Sequence, residues 1–160
     1  ALAEALRSGK ISIGEWEAAM RDYLRQNYAT AMELVKGGRA NVTPSDWGYD
    51  GSLLKKQYAY LNNFAKEIAA NPTAWMNKRL DARMNLYKES SYSAMADMQR
   101  REMMQNGYTE EIRHLHATDS CPDCVAAADR WEPIGTLPAI GDSVCITNCK
   151  CDFEYRKSTE

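Results

Sequence analysis

The sequence lacks any long uninterrupted apolar run, and we therefore expect no membrane-spanning protein. No stretch approaches the roughly 18 consecutive apolar residues that mark a membrane-spanning helix. No charged-then-apolar leader precedes the first turn, so the sequence as it stands predicts no secretion signal. It begins at Ala1 rather than at a methionine, and residues 1–7 already have a helical pattern. We expect further chain upstream of Ala1.

Cysteine is absent from the first 120 residues, and all five cysteines lie between positions 121 and 151. Five in 160 residues is too low a density for a disulfide scaffold. An odd number of clustered cysteines instead predicts a reducing compartment and one local metal site.

Concentrated charge of one sign is also missing. The chain is 44% hydrophobic and 26% charged, as in an ordinary globular domain, with a net charge of −2. Residues 51–106 hold nine basic and five acidic residues, and residues 107–160 hold five basic and ten acidic ones. This middle segment is too weakly basic for a dedicated DNA-binding protein, so we expect weak or no direct nucleic-acid binding.

Three long helices are predicted before residue 107. Ser12 and Glu15 have the spacing of a capping box at the start of the first helix, which the Gly37-Gly38 pair ends. A polar connection that contains one capped helical turn, Thr43-Pro44-Ser45-Asp46, is expected over 37–50. A second helix is expected from Ser52 to Ala70. Asn71-Pro72 starts a third helix that continues to about Asn106.

The third helix is rich in methionine and looks too long for its bundle. At about 35 residues it would span about 50 Å, against roughly 38 and 30 Å for the first two helices. The overhang predicts apolar surface that another protein covers. The side chains expected on it are Met84, Tyr87, Met95, Met98, Met103 and Met104.

After Gly107 the hydrophobic period changes from helical to alternating. Short strands are predicted at 112–116, 130–134 and 151–155, with a turn at 119–124. Too few apolar residues remain there to hold the segment together by burial. We therefore predict an α+β, mainly α fold, in which a long-helix bundle (residues 1–106) precedes a small zinc-stapled β module (residues 107–160).

The cysteines follow the pattern Cys121-x2-Cys124-x20-Cys145-x3-Cys149-x-Cys151. Paired cysteines separated by a loop are typical of a structural zinc site with tetrahedral thiolate ligands. We expect one zinc held by Cys121, Cys124, Cys145 and Cys149, with Cys151 as the substitute ligand. His114 and His116 lie just before the first pair, and we interpret them as surface or packing residues rather than ligands.

Other chemistries fit the pattern less well. A redox pair at Cys121 and Cys124 would need a strand–helix–strand setting, and a zinc deaminase would need His-x-Glu on a helix. Free buried thiols or disulfides remain as an alternative. No phosphate-binding glycine loop, metalloprotease motif or nucleophile elbow is present, so we expect no enzyme.

The C-terminal third resembles the Mu F-like head morphogenesis, or minor capsid, family of tailed bacteriophages. The residues that carry the resemblance are Asp119-Ser120-Cys121-Pro122-Asp123-Cys124, Trp131-Glu132-Pro133-Ile134-Gly135, Leu137-Pro138 and Asn148-Cys149-Lys150-Cys151. The family commonly has His-Pro before its last Asn-Cys-Arg-Cys, whereas this chain has Ile146-Thr147. Cys145 stands next to the missing histidine and would replace it as a ligand.

The helical part is similar to helices upstream of that module, at Gly9-Lys10-Ile11-Ser12, Trp16, Met20 and 57–64. The resemblance implies a structural protein of the virion, assembled in the host cytoplasm and acting near the portal vertex in head morphogenesis or in DNA packaging or delivery. Its implied partners are the portal protein, the major capsid protein or a second copy of itself, with no membrane.

Two other functions stay open from the sequence. One is a zinc-dependent nucleic-acid-binding protein whose phosphate contacts come from Lys55, Lys56, Lys78, Arg79 and Arg83. The other is the non-catalytic part of a larger toxin-bearing phage protein.

Overall fold

The computed structural model describes residues 1–158, and it confirms the predicted fold class: 63% of the chain is helical and 8% lies in strands. The elements in chain order are α1 (Leu2–Arg7), α2 (Ile13–Val35), α3 (Pro44–Ala70), α4 (Pro72–Trp75), α5 (Lys78–Gln105), β1 (Glu110–His114), α6 (Pro122–Ala127), β2 (Glu132–Pro133) and β3 (Asp152–Arg156). Short 3₁₀ turns lie at Arg39–Asn41 and Ile146–Asn148. The boundary between a helical domain and a β module at residue 107 stays a prediction.

Helix α2 begins and ends where the sequence predicts. The Ser12 hydroxyl accepts a hydrogen bond from the Glu15 backbone N–H, and the Glu15 carboxylate accepts one from the Ser12 backbone N–H at 2.7 Å. The helix ends before Gly37, whose φ of +70° suits glycine.

Helix α3 begins at Pro44, so the capped turn expected at Thr43-Pro44-Ser45-Asp46 is confirmed. The helix then continues without a break to Ala70, and the connection expected over 37–50 is wrong for residues 47–50. A second capping box explains the earlier start, since Thr43 and Asp46 exchange side-chain and backbone hydrogen bonds. Asp46 also pairs with Arg101 of α5 at 2.5 Å. These contacts hold the first turn despite Gly48 and Gly51 inside the helix.

The predicted third helix is broken. A single turn, α4, ends at Trp75, and the Asn77 side chain caps the start of α5 by accepting from the Arg79 backbone N–H. Helix α5 has 28 residues and α3 has 27, so the expected overhang is absent. Most of the methionine-rich face is covered by the chain itself: Met84, Tyr87 and Met98 are buried, and only Met104 of the six is exposed.

The helical core forms around α2, which packs against both α3 and α5. Trp16 of α2 and Phe64 of α3 are fully buried with their ring centroids 5.8 Å apart. Trp75 and Tyr87 extend this aromatic cluster, with ring centroids 4.9 and 6.4 Å from that of Phe64. Within residues 1–158, no helix is both long enough and apolar enough to cross a membrane.

The three strands form an antiparallel sheet in the order β2-β1-β3. Strand β1 lies two residues earlier than predicted, and its buried side chains are Glu111 and Arg113 rather than apolar ones. Glu111 is held by Arg100 of α5, whose Nε lies 2.9 Å from Glu111 Oε2. Burying these two charged residues therefore requires partners outside the sheet.

Two buried carboxylates one turn apart on α3 have opposite surroundings. Burial by itself would raise the pKa of Asp46, but hydrogen bonds from the Thr43 backbone and from Arg101 outweigh it and hold that pKa well below its usual range. Asp50 is 5% exposed, and its Oδ1 has no hydrogen-bond partner among the described residues. Burial raises the pKa of Asp50 to about 6.

Asp50→Asn is expected to raise the free energy of unfolding near pH 7.5 by about 1 kcal/mol, because it removes a carboxylate that burial disfavours in its charged form. The pKa of Asp50 is higher in the folded than in the unfolded chain. The native state therefore gains a proton as the pH falls through about 6, and the advantage of the amide should largely vanish near pH 4.

Asp46→Asn is the matched comparison, and it should instead lose about 3 kcal/mol near pH 7.5 because it breaks a buried, hydrogen-bonded ion pair. Urea unfolding of each variant against the wild type at both pH values measures the effects. A destabilising Asp50→Asn near pH 7.5 would contradict this account.

Candidate metal centre

The structure brings all five cysteines into one cluster. Cys121 and Cys124 lie at the start of α6, Cys145 precedes the second 3₁₀ turn, and Cys149 and Cys151 lie between that turn and β3. The sulfur of Cys145 lies 3.6 Å from that of Cys121 and 3.7 Å from that of Cys124. The Cys124 and Cys149 sulfurs are 3.8 Å apart. The cluster could therefore hold a metal ion.

These separations fit a tetrahedral thiolate site. With metal–sulfur bonds of about 2.3 Å, the sulfurs at the corners of a tetrahedron lie about 3.8 Å apart. Two groups of three cysteines have all their sulfurs within 4.8 Å of one another: Cys121, Cys124 and Cys145, and Cys124, Cys149 and Cys151. Cys124 belongs to both groups and so lies at the middle of the cluster.

The first pair is positioned by α6, a short helix where the sequence predicted only a turn. Cys121 is its N-cap, and the Cys121 sulfur accepts a hydrogen bond from the Cys124 backbone N–H at 3.4 Å. Pro122 occupies the first helical turn, where its missing N–H costs nothing. The Asp123 carboxylate accepts from the Val144 backbone N–H at 3.1 Å and so holds the loop that carries Cys145.

The second set is positioned by a strained loop. Ile146 has a φ of +50°, a left-handed conformation that is rare for a β-branched residue. The 3₁₀ turn that follows is closed by hydrogen bonds from the Asn148 N–H to the Cys145 carbonyl and from the Cys149 N–H to the Ile146 carbonyl. This turn folds the chain so that Cys145 and Cys149 reach the same cluster.

The thiols differ in how readily they ionise. Burial opposes ionisation of Cys149, but hydrogen bonds from the Cys151 backbone N–H and from neighbouring thiols lower its pKa. Burial raises the pKa of Cys151 to about 12, and burial with neighbouring thiols raises that of Cys145. Metal ligands must be thiolates, so binding an ion would have to displace the protons of Cys145 and Cys151.

Neither histidine takes part in a cysteine group. The His114 Nε2 lies 2.8 Å from a Glu154 carboxylate oxygen, and the His116 Nε2 lies 2.9 Å from one of Asp152. These are partly exposed contacts between β1 and β3 and their flanks. The histidines therefore lie where the sequence analysis placed them, among surface residues.

Sequence reasoning missed Arg113, which reaches the cluster from β1. Its Nη1 donates to the Cys124 sulfur at 3.2 Å, and its Nη2 donates to the Pro138 carbonyl oxygen. The only available signal was the alternation of apolar and polar residues over 112–116, which placed Ile112 rather than Arg113 on the apolar face.

The cluster is joined to α5 by tight contacts. The Tyr92 hydroxyl donates to the Cys151 carbonyl at 3.2 Å. Gly141 lies so close to α5 that an added Cβ would come within 2.5 Å of the Ser93 hydroxyl oxygen, and its φ of +96° also requires glycine. The loop before Cys145 is thus seated directly on the helix.

Gly141→Ala is expected to lower the free energy of unfolding by about 3 kcal/mol, since it combines a strained φ with a clash against Ser93. Gly135→Ala is the matched control, because Gly135 has a φ of +90° but nothing within 4 Å of an added Cβ. That control should lose only about 1 kcal/mol. Thermal or urea unfolding of both variants measures the difference, and equal losses would contradict the close contact.

The function of the cluster has to be argued from its own residues. A comparison of the chain with models of protein families, with curated proteins and with solved structures finds no match. The positions of the five sulfurs and of Arg113 are therefore the observations on which a function rests.

Proposed function

We propose that the cysteine cluster holds one structural zinc ion, with Cys121, Cys124, Cys145 and Cys149 as ligands. Three of the six sulfur separations within this set are 3.6–3.8 Å, and they support it because they match edges of a zinc–thiolate tetrahedron. Cys149 shares a group with Cys124 but not with Cys121 and Cys145, so binding the ion would draw the Cys149 sulfur toward those two. Zinc suits an all-thiolate site because it tolerates tetrahedral geometry and has no redox chemistry. Cys151 is the substitute ligand, since it is grouped with Cys124 and Cys149.

A structural role suits the surroundings of the site better than a catalytic one. Four thiolates would leave no open position for water or substrate. Cys124 and Cys149 are at most 2% exposed, whereas Cys121 and Cys145 are partly exposed, so two of the four proposed ligands are shielded from solvent. Zinc in such a site would act by tying α6, the Cys145 loop and the start of β3 together.

For the chain as a whole, we propose a non-enzymatic minor capsid or head-assembly protein of a tailed phage, which works near the portal vertex. The observation that carries this proposal is the convergence of the resembling segments, 119–124 and 148–151, on one cluster. Three aliphatic side chains around the cluster are exposed and offer a surface for a portal, capsid or second copy: Val125 at 55%, Val144 at 73% and Ile146 at 54%.

A nucleic-acid-binding function is the second candidate, and it rests on five basic side chains of α3 and α5. They are Lys55, Lys56, Lys78, Arg79 and Arg83, and none of them forms an ion pair within residues 1–158. Four of the five are exposed and free to meet phosphate. Arg83 is half-buried, and its guanidinium lies 5.2 Å from the centroid of the Phe64 ring.

The zinc proposal predicts about one zinc per chain in protein purified without added metal. Cys121→Ser, Cys124→Ser, Cys145→Ser and Cys149→Ser should each lose most of it, whereas Cys151→Ser should keep it. Chelation should increase hydrogen exchange across residues 107–158 and leave α2, α3 and α5 protected, because binding energy at a structural site is folding energy. Elemental analysis and exchange mass spectrometry measure both effects.

Metal-free protein with five freely titrating thiols would reject the zinc proposal. If Cys151→Ser loses zinc and Cys149→Ser keeps it, Cys151 rather than Cys149 is the fourth ligand, and the zinc site itself is supported.

The capsid proposal predicts a stable complex when the chain is co-expressed with the portal and major capsid proteins of the same phage. Val144→Asp should weaken that complex at least tenfold, because it places a charge on the exposed surface beside the cluster. Leu34→Asp is the matched control on α2, where Leu34 is 65% exposed and distant in sequence from the cysteines. Sedimentation with each partner measures the association.

A chain that stays monomeric and binds neither the portal protein nor the major capsid protein would contradict the capsid proposal. DNA binding that persists at physiological salt and is lost in a Lys55→Gln, Lys56→Gln, Arg83→Gln variant would favour the second candidate, since weak phosphate contacts fade as salt rises.

A further inference from the structure

Arg113 is a cation with no exposed surface, and its polar contacts are few. It is 0% exposed. Its guanidinium donates to the Cys124 sulfur and to the Pro138 carbonyl, and its Nε has no hydrogen-bond partner among the described residues. The Phe153 ring centroid lies 5.1 Å from its central carbon. A buried charge of this kind is costly unless an opposite charge compensates it.

No carboxylate supplies that compensation. None of the ion pairs within residues 1–158 includes Arg113. Glu111, on the same strand and equally buried, is already matched by Arg100 and accepts from the Gly135 and Leu137 backbone N–H groups. The nearest candidate anion for Arg113 is therefore the sulfur of Cys124.

We propose that Arg113 is the buried counter-ion of the metal–thiolate centre. This inference rests on the proposed zinc. Four thiolates around one divalent ion carry a net charge of −2, and the guanidinium offsets half of it while its N–H orients the Cys124 sulfur. Conversely, the bound thiolates supply the anion without which Arg113 would be buried as an isolated charge.

The position of Cys124 makes this role independent of the choice of fourth ligand. Cys124 belongs to both groups of cysteines, so its sulfur is a ligand whether Cys149 or Cys151 completes the site. A compensating cation beside the shared sulfur also favours an all-thiolate set over one that contains a neutral histidine, because each thiolate adds a negative charge.

The test compares zinc affinity in three variants of the 160-residue chain by competition with a chromophoric chelator. Arg113→Met keeps most of the side-chain length but removes the charge, and it should weaken zinc binding about 10- to 100-fold. Arg113→Lys keeps the charge with a poorer donor geometry and should lose less than about tenfold. Arg130→Met is the matched control, since Arg130 in the same module pairs with Glu132 at the surface, and it should stay within about twofold.

The ranking of the variants by zinc affinity distinguishes an electrostatic role of Arg113 from a packing role. A role in filling space would make Arg113→Met the better binder and Arg113→Lys the worse one, and that result would overturn the proposal. Affinities equal to wild type in both variants would overturn it as well. If Arg113→Met fails to fold with zinc present, Arg113→Lys decides: binding within about tenfold of wild type supports the proposal, and failure to bind overturns it.

A second readout uses cobalt(II) in place of zinc. If Arg113 donates to a metal-bound sulfur, its replacement by methionine should shift the sulfur-to-cobalt charge-transfer band, while Arg130→Met leaves the band unchanged. If the wild type itself binds no metal, it is the zinc proposal that fails, and this outcome is distinct from a wild type that binds zinc with an affinity insensitive to residue 113.

Discussion

The contact between the sulfurs of Cys124, Cys145 and Cys149 is the interaction on which the C-terminal part of the chain depends. Apart from cysteines, the buried apolar residues that the structure describes after position 107 are only Ala127, Leu137 and Ile140. The other buried side chains there are polar or charged: Glu111, Arg113 and Ser143. So small an apolar core does not offset the entropy of ordering about 50 residues, and the proposed zinc is the source of the remaining stability.

The last turns of α5 connect this part to the helical core. The consecutive residues Arg100 and Arg101 project in different directions, and each pairs with a buried carboxylate. Arg101 pairs with Asp46 at the start of α3, and Arg100 pairs with Glu111 of β1. Arg100 also lies 4.5 Å from the Phe153 ring centroid on β3. Helix α5 thus places one guanidinium against a buried carboxylate of the helical part, Asp46, and the next against a buried carboxylate of the strand part, Glu111. These two ion pairs couple the two parts of the chain electrostatically.

The sequence predicts well whatever is encoded by local contacts. The Ser12–Glu15 capping box, the glycine stop at Gly37 and the close spacing of the five cysteines depend on neighbouring residues, and the structure contains all three features. The capped turn at Pro44 was predicted from Thr43 and Asp46, but its continuation into α3 through Gly48 and Gly51 was not. Glycine is a poor helix former, and the ion pair of Asp46 with Arg101 of α5 that holds this turn is not a local contact. The break before α5 was missed because the periodic methionines run through it.

The buried charges could not be predicted, because they depend on contacts between residues far apart in sequence. The alternation of apolar and polar residues in β1 favours burial of Ile112, whereas the structure buries the charged face. The face that is buried is determined by two distant partners: Arg100, which pairs with Glu111, and Cys124, whose sulfur accepts from Arg113. The sequence of β1 alone indicates neither partner.

The most direct test of the central claim is X-ray absorption at the zinc edge of protein purified from cells grown without added metal. A structural zinc in this cluster predicts four sulfur neighbours at about 2.3 Å and no nitrogen or oxygen in the first shell. The absence of zinc, or a first shell that contains oxygen or nitrogen, would contradict it.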